Sequence, residues 1–211
     1  MKQFPLLFGG ILATFVFGWV GTVAIPQKQI GNLQPQTDEE GGDIYPVNVG
    51  GVAAQGRQVY VANGCVYCHS QVVRDKHSGS DIDRGWGPRR TVARDYIYNQ
   101  PVQLGTMRNG PDLTNEGTRQ TSAEWHYLHL YNPRAVTPGS IMPSFRFLFE
   151  KRKIAGQRSA DALNLTGADA PADGYEVVPT AEAKSLVGYL LSLDSTHPLK
   201  EVKEAQETAA K

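Results

Sequence analysis

The residues in this chain best suited to chemistry are Cys65-Val66-Tyr67-Cys68-His69: two thiols three positions apart, followed at once by an imidazole. C-x-x-C-H is the attachment pattern of a c-type haem. The two thiols add to the two vinyl groups on one porphyrin edge while the next side chain turns to the iron, and one short helical turn allows both. Two other readings use the same residues. A thioredoxin-like C-x-x-C should follow a strand in a βαβ setting, which Gly56 to Gly64 does not provide, and a zinc site needs two more ligands nearby. The spacing therefore predicts one covalently attached haem c, with Cys65 and Cys68 as its anchors and His69 as an axial ligand. With no other cysteine in the chain, a disulfide framework is excluded.

A second ligand follows from the same chemistry, since iron held by His and a thioether is the usual electron-transfer arrangement and sits at higher potential than a bis-His site. The candidates are Met107 and Met142. Met142 lies in Ser140-Ile141-Met142-Pro143, 73 residues after His69, and Pro143 fixes the backbone just beyond the sulfur. Met107 stands directly before the Gly110-Pro111-Asp112-Leu113 turn, where the chain has other work, so Met142 is preferred. His126 and His129, i and i+3 on a predicted helix, are further candidates, although histidines so placed are more often solvated or hydrogen-bonded. A backbone carbonyl of the Gly-Pro turn, at Pro111, is expected to accept the Nδ1 proton of His69 and fix its ring. Seven arginines lie between Arg74 and Arg119, and a guanidinium fork suits a haem carboxylate. Arg108 is the first choice and Arg89 or Arg90 the second, with ordinary ion pairing to the six acids of this stretch as the competing explanation. Trp86 and Trp125 can pack on the haem, on a partner or in the core.

Several elements must position these residues. A helix is predicted from about Ala53 to Ala62, with Val52, Gly56, Val59 and Tyr60 on one face. Thr121-Ser122-Ala123-Glu124 matches a capping box opening a helix that stops before Asn132-Pro133. A final helix after Pro179-Thr180 places Ala183, Leu186, Val187, Leu190 and Leu191 on one side. Its Leu186 and Tyr189 are expected to cross the first helix near Gly56 and Tyr60. Between them, Arg74 to Thr118 reads as a long functional loop, and residues 151–178 as an insertion. The domain assignment is an anchor over 1–26, an extended linker over 27–50, a haem domain over 51–195 and a charged, solvated tail over 196–211.

From Phe4 to Ile25 the chain runs 22 residues without a charge, about 33 Å as a helix and enough to cross a bilayer core. Lys2 precedes the run, and Asp38, Glu39 and Glu40 are the first acids after it. The positive-inside rule then leaves the N-terminus in the cytoplasm and the rest outside. A cleaved signal peptide competes, since Thr22-Val23-Ala24 loosely resembles a cleavage site, but the apolar run exceeds the usual span of about 7–15 residues. With 21 basic against 21 acidic residues, the net charge is zero and no nucleic-acid partner is expected.

The helix Gly56-Arg57-Gln58-Val59-Tyr60, the Cys65–Gln71 segment CVYCHSQ, Trp86-Gly87-Pro88-Arg89-Arg90, Tyr96-Ile97-Tyr98, Gly110-Pro111-Asp112-Leu113, Glu124-Trp125-His126, Asn132-Pro133-Arg134 and Met142-Pro143 occur in this order. Together, from about Ala54 to Phe149, the chain resembles the monohaem subunit II of cbb3-type, or C-family, haem-copper cytochrome c oxidases. The resemblance implies an all-α protein, with a single N-terminal transmembrane helix followed by a class I-like cytochrome c domain. It also implies that Cys65 and Cys68 carry the haem and that His69 and Met142 bind iron. The expected partners are a catalytic haem-copper oxidase subunit and a dihaem cytochrome c sister subunit, in the inner (cytoplasmic) membrane with the haem domain on the periplasmic side. In that role the chain passes electrons and does not itself reduce oxygen. The alternatives are a tethered cytochrome c serving another respiratory complex, such as nitric oxide reductase, an electron shuttle, or a haem enzyme or gas sensor with an open sixth position.

Overall fold

The computed structural model of the chain describes residues 3–37 and 42–202. Lys2, the acids Asp38, Glu39 and Glu40, and the end of the charged tail, 203–211, lie outside the described residues. The chain divides into two compact units: one runs up to Val47 and adds Val92–Gln100, and the other comprises Asn48–Thr91 and everything from Pro101 onward.

In the first unit, α1 (Gln3–Trp19) passes through a π-helical turn at Val20–Ala24 into α2 (Ile25–Ile30). The result is a 28-residue helix long and apolar enough to cross a membrane, with none of its apolar window buried in protein. Pro26 has no N–H to give to Thr22, and the Thr22 hydroxyl bonds back to Gly18 O at 2.7 Å. Both loosen the i→i−4 ladder where it widens. The helix therefore runs on to Ile30, four residues into the expected linker. The remainder of that linker is also not simply extended: β1 (Gln36–Thr37) pairs antiparallel with β2 (Ile44–Tyr45). Tyr45 also donates to Asp95 Oδ1 at 2.7 Å, and Asp95 Oδ2 in turn accepts Val92 N at 2.8 Å.

The second unit is organised by two crossing helices, α3 (Gly51–Ala62) and the C-terminal helix, with α4 (Glu116–Arg119), α5 (Ala123–Tyr131) and α6 (Pro133–Val136) between them. Two strands, β3 (Phe149–Lys153) and β4 (Tyr175–Pro179), follow and form an antiparallel ribbon leading into α7 (Ala181–Leu191). α3 and α7 cross as expected, because Gly56 has no side chain. A β-carbon there would overlap the Ser185 carbonyl and come within 2.8 Å of Tyr189 Cβ. Tyr60 and Tyr189 then meet edge to face, their centroids 5.4 Å apart. The core gathers Tyr60, Leu113, Leu130, Leu148, Val177, Ala183, Leu186 and Leu190.

Two expectations need correction. The chain is helix-rich but not all-α, because residues 149–153 and 175–179 carry too little helical periodicity and satisfy their backbone groups across a ribbon instead. Residues 151–178 reach the core, where Leu163 and Val177 are buried. The tail is docked at its start: Leu199 and Val202 are buried, and His197 O accepts Arg89 Nε at 2.7 Å. The cap of α5 also shifts by one residue. Ser122, not Thr121, is the N-cap and accepts Trp125 N at 3.2 Å, and Glu124 instead accepts Asn164 Nδ2.

Candidate haem site

α3 ends at Ala62, and Cys65–Tyr67 form a single 3-10 turn, tied by Cys68 N and His69 N to Cys65 O at 3.1 and 3.0 Å. This turn brings Cys65, Cys68 and His69 onto one bend of the backbone. Cys65 is half-buried against the core and Cys68 is exposed. Burial pushes the Cys65 thiol up to about 11, which is the opposite of the low value a thioredoxin-like nucleophile needs. Among the described residues, no group of three or more His, Cys, Asp or Glu gathers as a metal-ion site, so the further ligands a structural zinc would need are not at hand.

The stretch after the motif is strung between two others. Gln71 N donates to Leu104 O at 2.8 Å, Gly110 N to Cys68 O at 3.0 Å and Leu113 N to Ser70 O at 2.9 Å. His69 lies against the 110–113 turn, with its Nδ1 2.8 Å from Pro111 O. A carbonyl can only accept, so Nδ1 carries the proton and Nε2 keeps its lone pair free for a metal. Burial lowers the proton affinity of His69, opposed by the Pro111 hydrogen bond and by the nearby Asp112 carboxylate. Gly110 is required here, since a β-carbon on it would stand 2.7 Å from His69 Nδ1.

Met142 is half-buried and packs on the core, whereas the Met107 side chain is 51% exposed. The Met142 loop is held from α6 by Arg134, whose guanidinium donates to Ser140 O at 3.1 Å, Met142 O at 3.2 Å and Ser144 Oγ at 3.3 Å. Asn132-Pro133-Arg134 stood out in the sequence, but nothing in it said that the arginine would brace the methionine loop. On α5, His126 is buried, with Nε2 2.9 Å from Gln120 O. His129 stacks on Trp125 at 4.6 Å, and its Nδ1 is buried with no partner. Burial, then the fields of His69 and His126, push His129 down to about 4. It therefore lies within electrostatic reach of His69 with one polar valence open.

The arginines mostly find partners inside the protein. Arg108 Nη2 donates to Val72 O at 2.6 Å, and Nη1 stands 2.5 Å from Asp81 Oδ1 without an aligned hydrogen bond. Arg108 and Arg84 both lie over the Trp86 ring. Arg74 completes the pairing of the fully buried Asp81 at 2.8 Å. Burial alone would raise the Asp81 carboxyl, but the two guanidiniums hold it well below the usual carboxylate range. Arg89 is buried and donates to His197 O and Arg90 O, and Arg90 faces Asp75 at 4.0 Å.

Two thiols and a neutral imidazole with its Nε2 free, on one turn, fit a haem; so does the open valence of His129 nearby. The curated proteins compared with the chain include no match. A family model described as cytochrome c oxidase, mono-heme subunit/FixO, matches residues 21–193. With its order of motifs and this geometry, the chain belongs to that family, the monohaem subunit of cbb3-type cytochrome c oxidase.

Proposed function

We propose that the chain is a membrane-anchored c-type cytochrome that passes electrons to the oxygen-reducing subunit of its oxidase. The observation that carries this reading is the His69 Nδ1 to Pro111 O contact of 2.8 Å beside the Cys65 to Cys68 turn. Haem bound there supplies a reversible one-electron couple. Cys65 and Cys68 would anchor it by thioether bonds, formed by addition of each thiol across a haem vinyl group. His69 would hold the iron through Nε2, with Pro111 O keeping the ring from rotating and making it more electron-rich. Met142 would hold the group through a neutral thioether, which would favour the ferrous state relative to a second imidazole. Arg108, already paired with Asp81, is the guanidinium we assign to a haem carboxylate.

The helix Gln3–Ile30 anchors the chain in the cytoplasmic membrane, with the haem domain on the periplasmic side. Its partners are a catalytic haem-copper subunit and a dihaem cytochrome c sister subunit. The test is covalent attachment. Cys65→Ala and Cys68→Ala should each weaken or abolish haem peroxidase stain on a denaturing gel, because each removes one thioether. Two alkylatable thiols in the denatured mature wild-type protein would overturn the reading.

A further inference from the structure

Asp112 carries a buried charge that the function above leaves unused. Its carboxylate is fully buried, and among the described residues no cation pairs with it. Oδ2 accepts Ser70 Oγ at 2.6 Å and Val72 N at 2.8 Å, and Oδ1 accepts Thr114 N at 2.9 Å. Three donors and no acceptor face it, the surroundings of an anion. Two of these donors lie within three residues of His69, and the residue before Asp112 is Pro111, whose carbonyl takes the His69 proton. One carboxylate thus ties together both sides of the hydrogen bond that orients the imidazole.

We propose that Asp112 is a positioning residue that also sets the reduction potential: it holds His69 against Pro111 O, and its fixed negative charge favours the oxidised haem. This inference rests on the reading that His69 binds the haem iron. Oxidation adds one positive charge to the centre, and an anion fixed nearby in a low-dielectric interior stabilises that state far more than a solvated one would. The Asp112 charge stands one residue from the carbonyl that holds the imidazole. Water and salt cannot screen it, because none of the side chain is exposed.

The test is spectroelectrochemical titration of the full-length chain in detergent at one pH. Asp112→Asn should raise the midpoint potential, with covalent haem unchanged. Ser70→Ala removes a donor while leaving the charge in place, so the carboxylate acts more strongly and the midpoint should fall. Combined with Asp112→Asn, Ser70→Ala should produce no further fall. A merely structural role would move both single variants in the same direction or neither, and either result overturns the inference. Should Asp112→Asn not accumulate, Ser70→Ala decides alone: a lower midpoint supports the role, and an unchanged or higher one overturns it. A wild-type chain without haem stain on a denaturing gel would overturn the underlying reading as well, whereas stained protein with unmoved midpoints overturns this inference only.

Discussion

The two methionines are the residues where chemistry and packing part company. Met142 is half-buried in a loop braced by three contacts from Arg134, whereas Met107 is largely exposed beside the Gly-Pro turn. A neutral, soft thioether stabilises ferrous iron relative to an imidazole. Met142→His should therefore keep a six-coordinate spectrum and lower the midpoint potential, while Met107→Leu leaves both nearly unchanged. Redox titration of the full-length chain reads the difference. A large drop for the Met107 variant, with the Met142 variant like wild type, would mean that the chain folds over its haem differently. In a lowered-potential variant, electron uptake becomes less favourable although onward transfer becomes more so. If uptake limits turnover, oxidase activity should fall while the complex still assembles.

At the scale of elements, the α3–α7 crossing and the β3–β4 ribbon each rest on a few contacts. Gly56→Ala puts a methyl group into the Ser185 carbonyl and against Tyr189. Overpacking of this kind costs about 1–3 kcal/mol, which exceeds the ~1 kcal/mol that alanine gains over glycine in helix propensity. A lower Tm and a reduced yield of haem-loaded protein are expected, and an unchanged Tm would refute the close crossing. In the ribbon, Glu176 is buried and accepts Ser159 Oγ at 2.6 Å, Ser159 N at 2.7 Å and Arg152 Nε at 2.9 Å. The Ser159 hydrogen bonds come first, and with Arg152 they hold its carboxyl down to about 2, below an ordinary value of 4.5. A depressed folded-state value means that its stabilisation is present above pH 4.5 and is lost as pH falls toward 2. Glu176→Gln should lower stability at neutral pH and flatten the acid side of the stability profile, as read from thermal melts between pH 7 and 3. Melts with equal acid slopes in both proteins would show that Glu176 carries none of this dependence.

At the scale of the whole molecule, the helix Gln3–Ile30 is long and apolar enough to cross a membrane. Phe4, Leu6, Phe8, Leu12, Phe15 and Phe17 are all exposed on the 28-residue helix. Uncovered apolar area of this extent is stable in lipid and a liability in water. A chain lacking residues 1–30 should leave the membrane pellet for the soluble fraction and fail to co-purify with the other oxidase subunits. The intact mass of the mature full-length protein tests retention directly, since loss of the mass of the first two dozen residues would reveal a cleaved signal.

Some of this was legible one residue at a time. C-x-x-C-H is a local motif, and the structure folds it as a tight turn closed by Cys68 N and His69 N on Cys65 O. The uncharged run from Phe4 to Ile25, the stop before Asn132-Pro133 and the apolar stripe of α7 depend on neighbours within a few positions. So does the Gly-Pro turn, and the expected His69 Nδ1 to Pro111 O bond is present at 2.8 Å. Long-range contacts could not be read in this way. Asp112 reaches Ser70 across 42 positions, Glu176 reaches Arg152 across 24, Arg89 reaches His197 across 108, and Leu163 becomes core only once the ribbon closes. A polar side chain carries no mark in the sequence of whether water or a distant donor will satisfy it, and that choice is made only when the chain is packed.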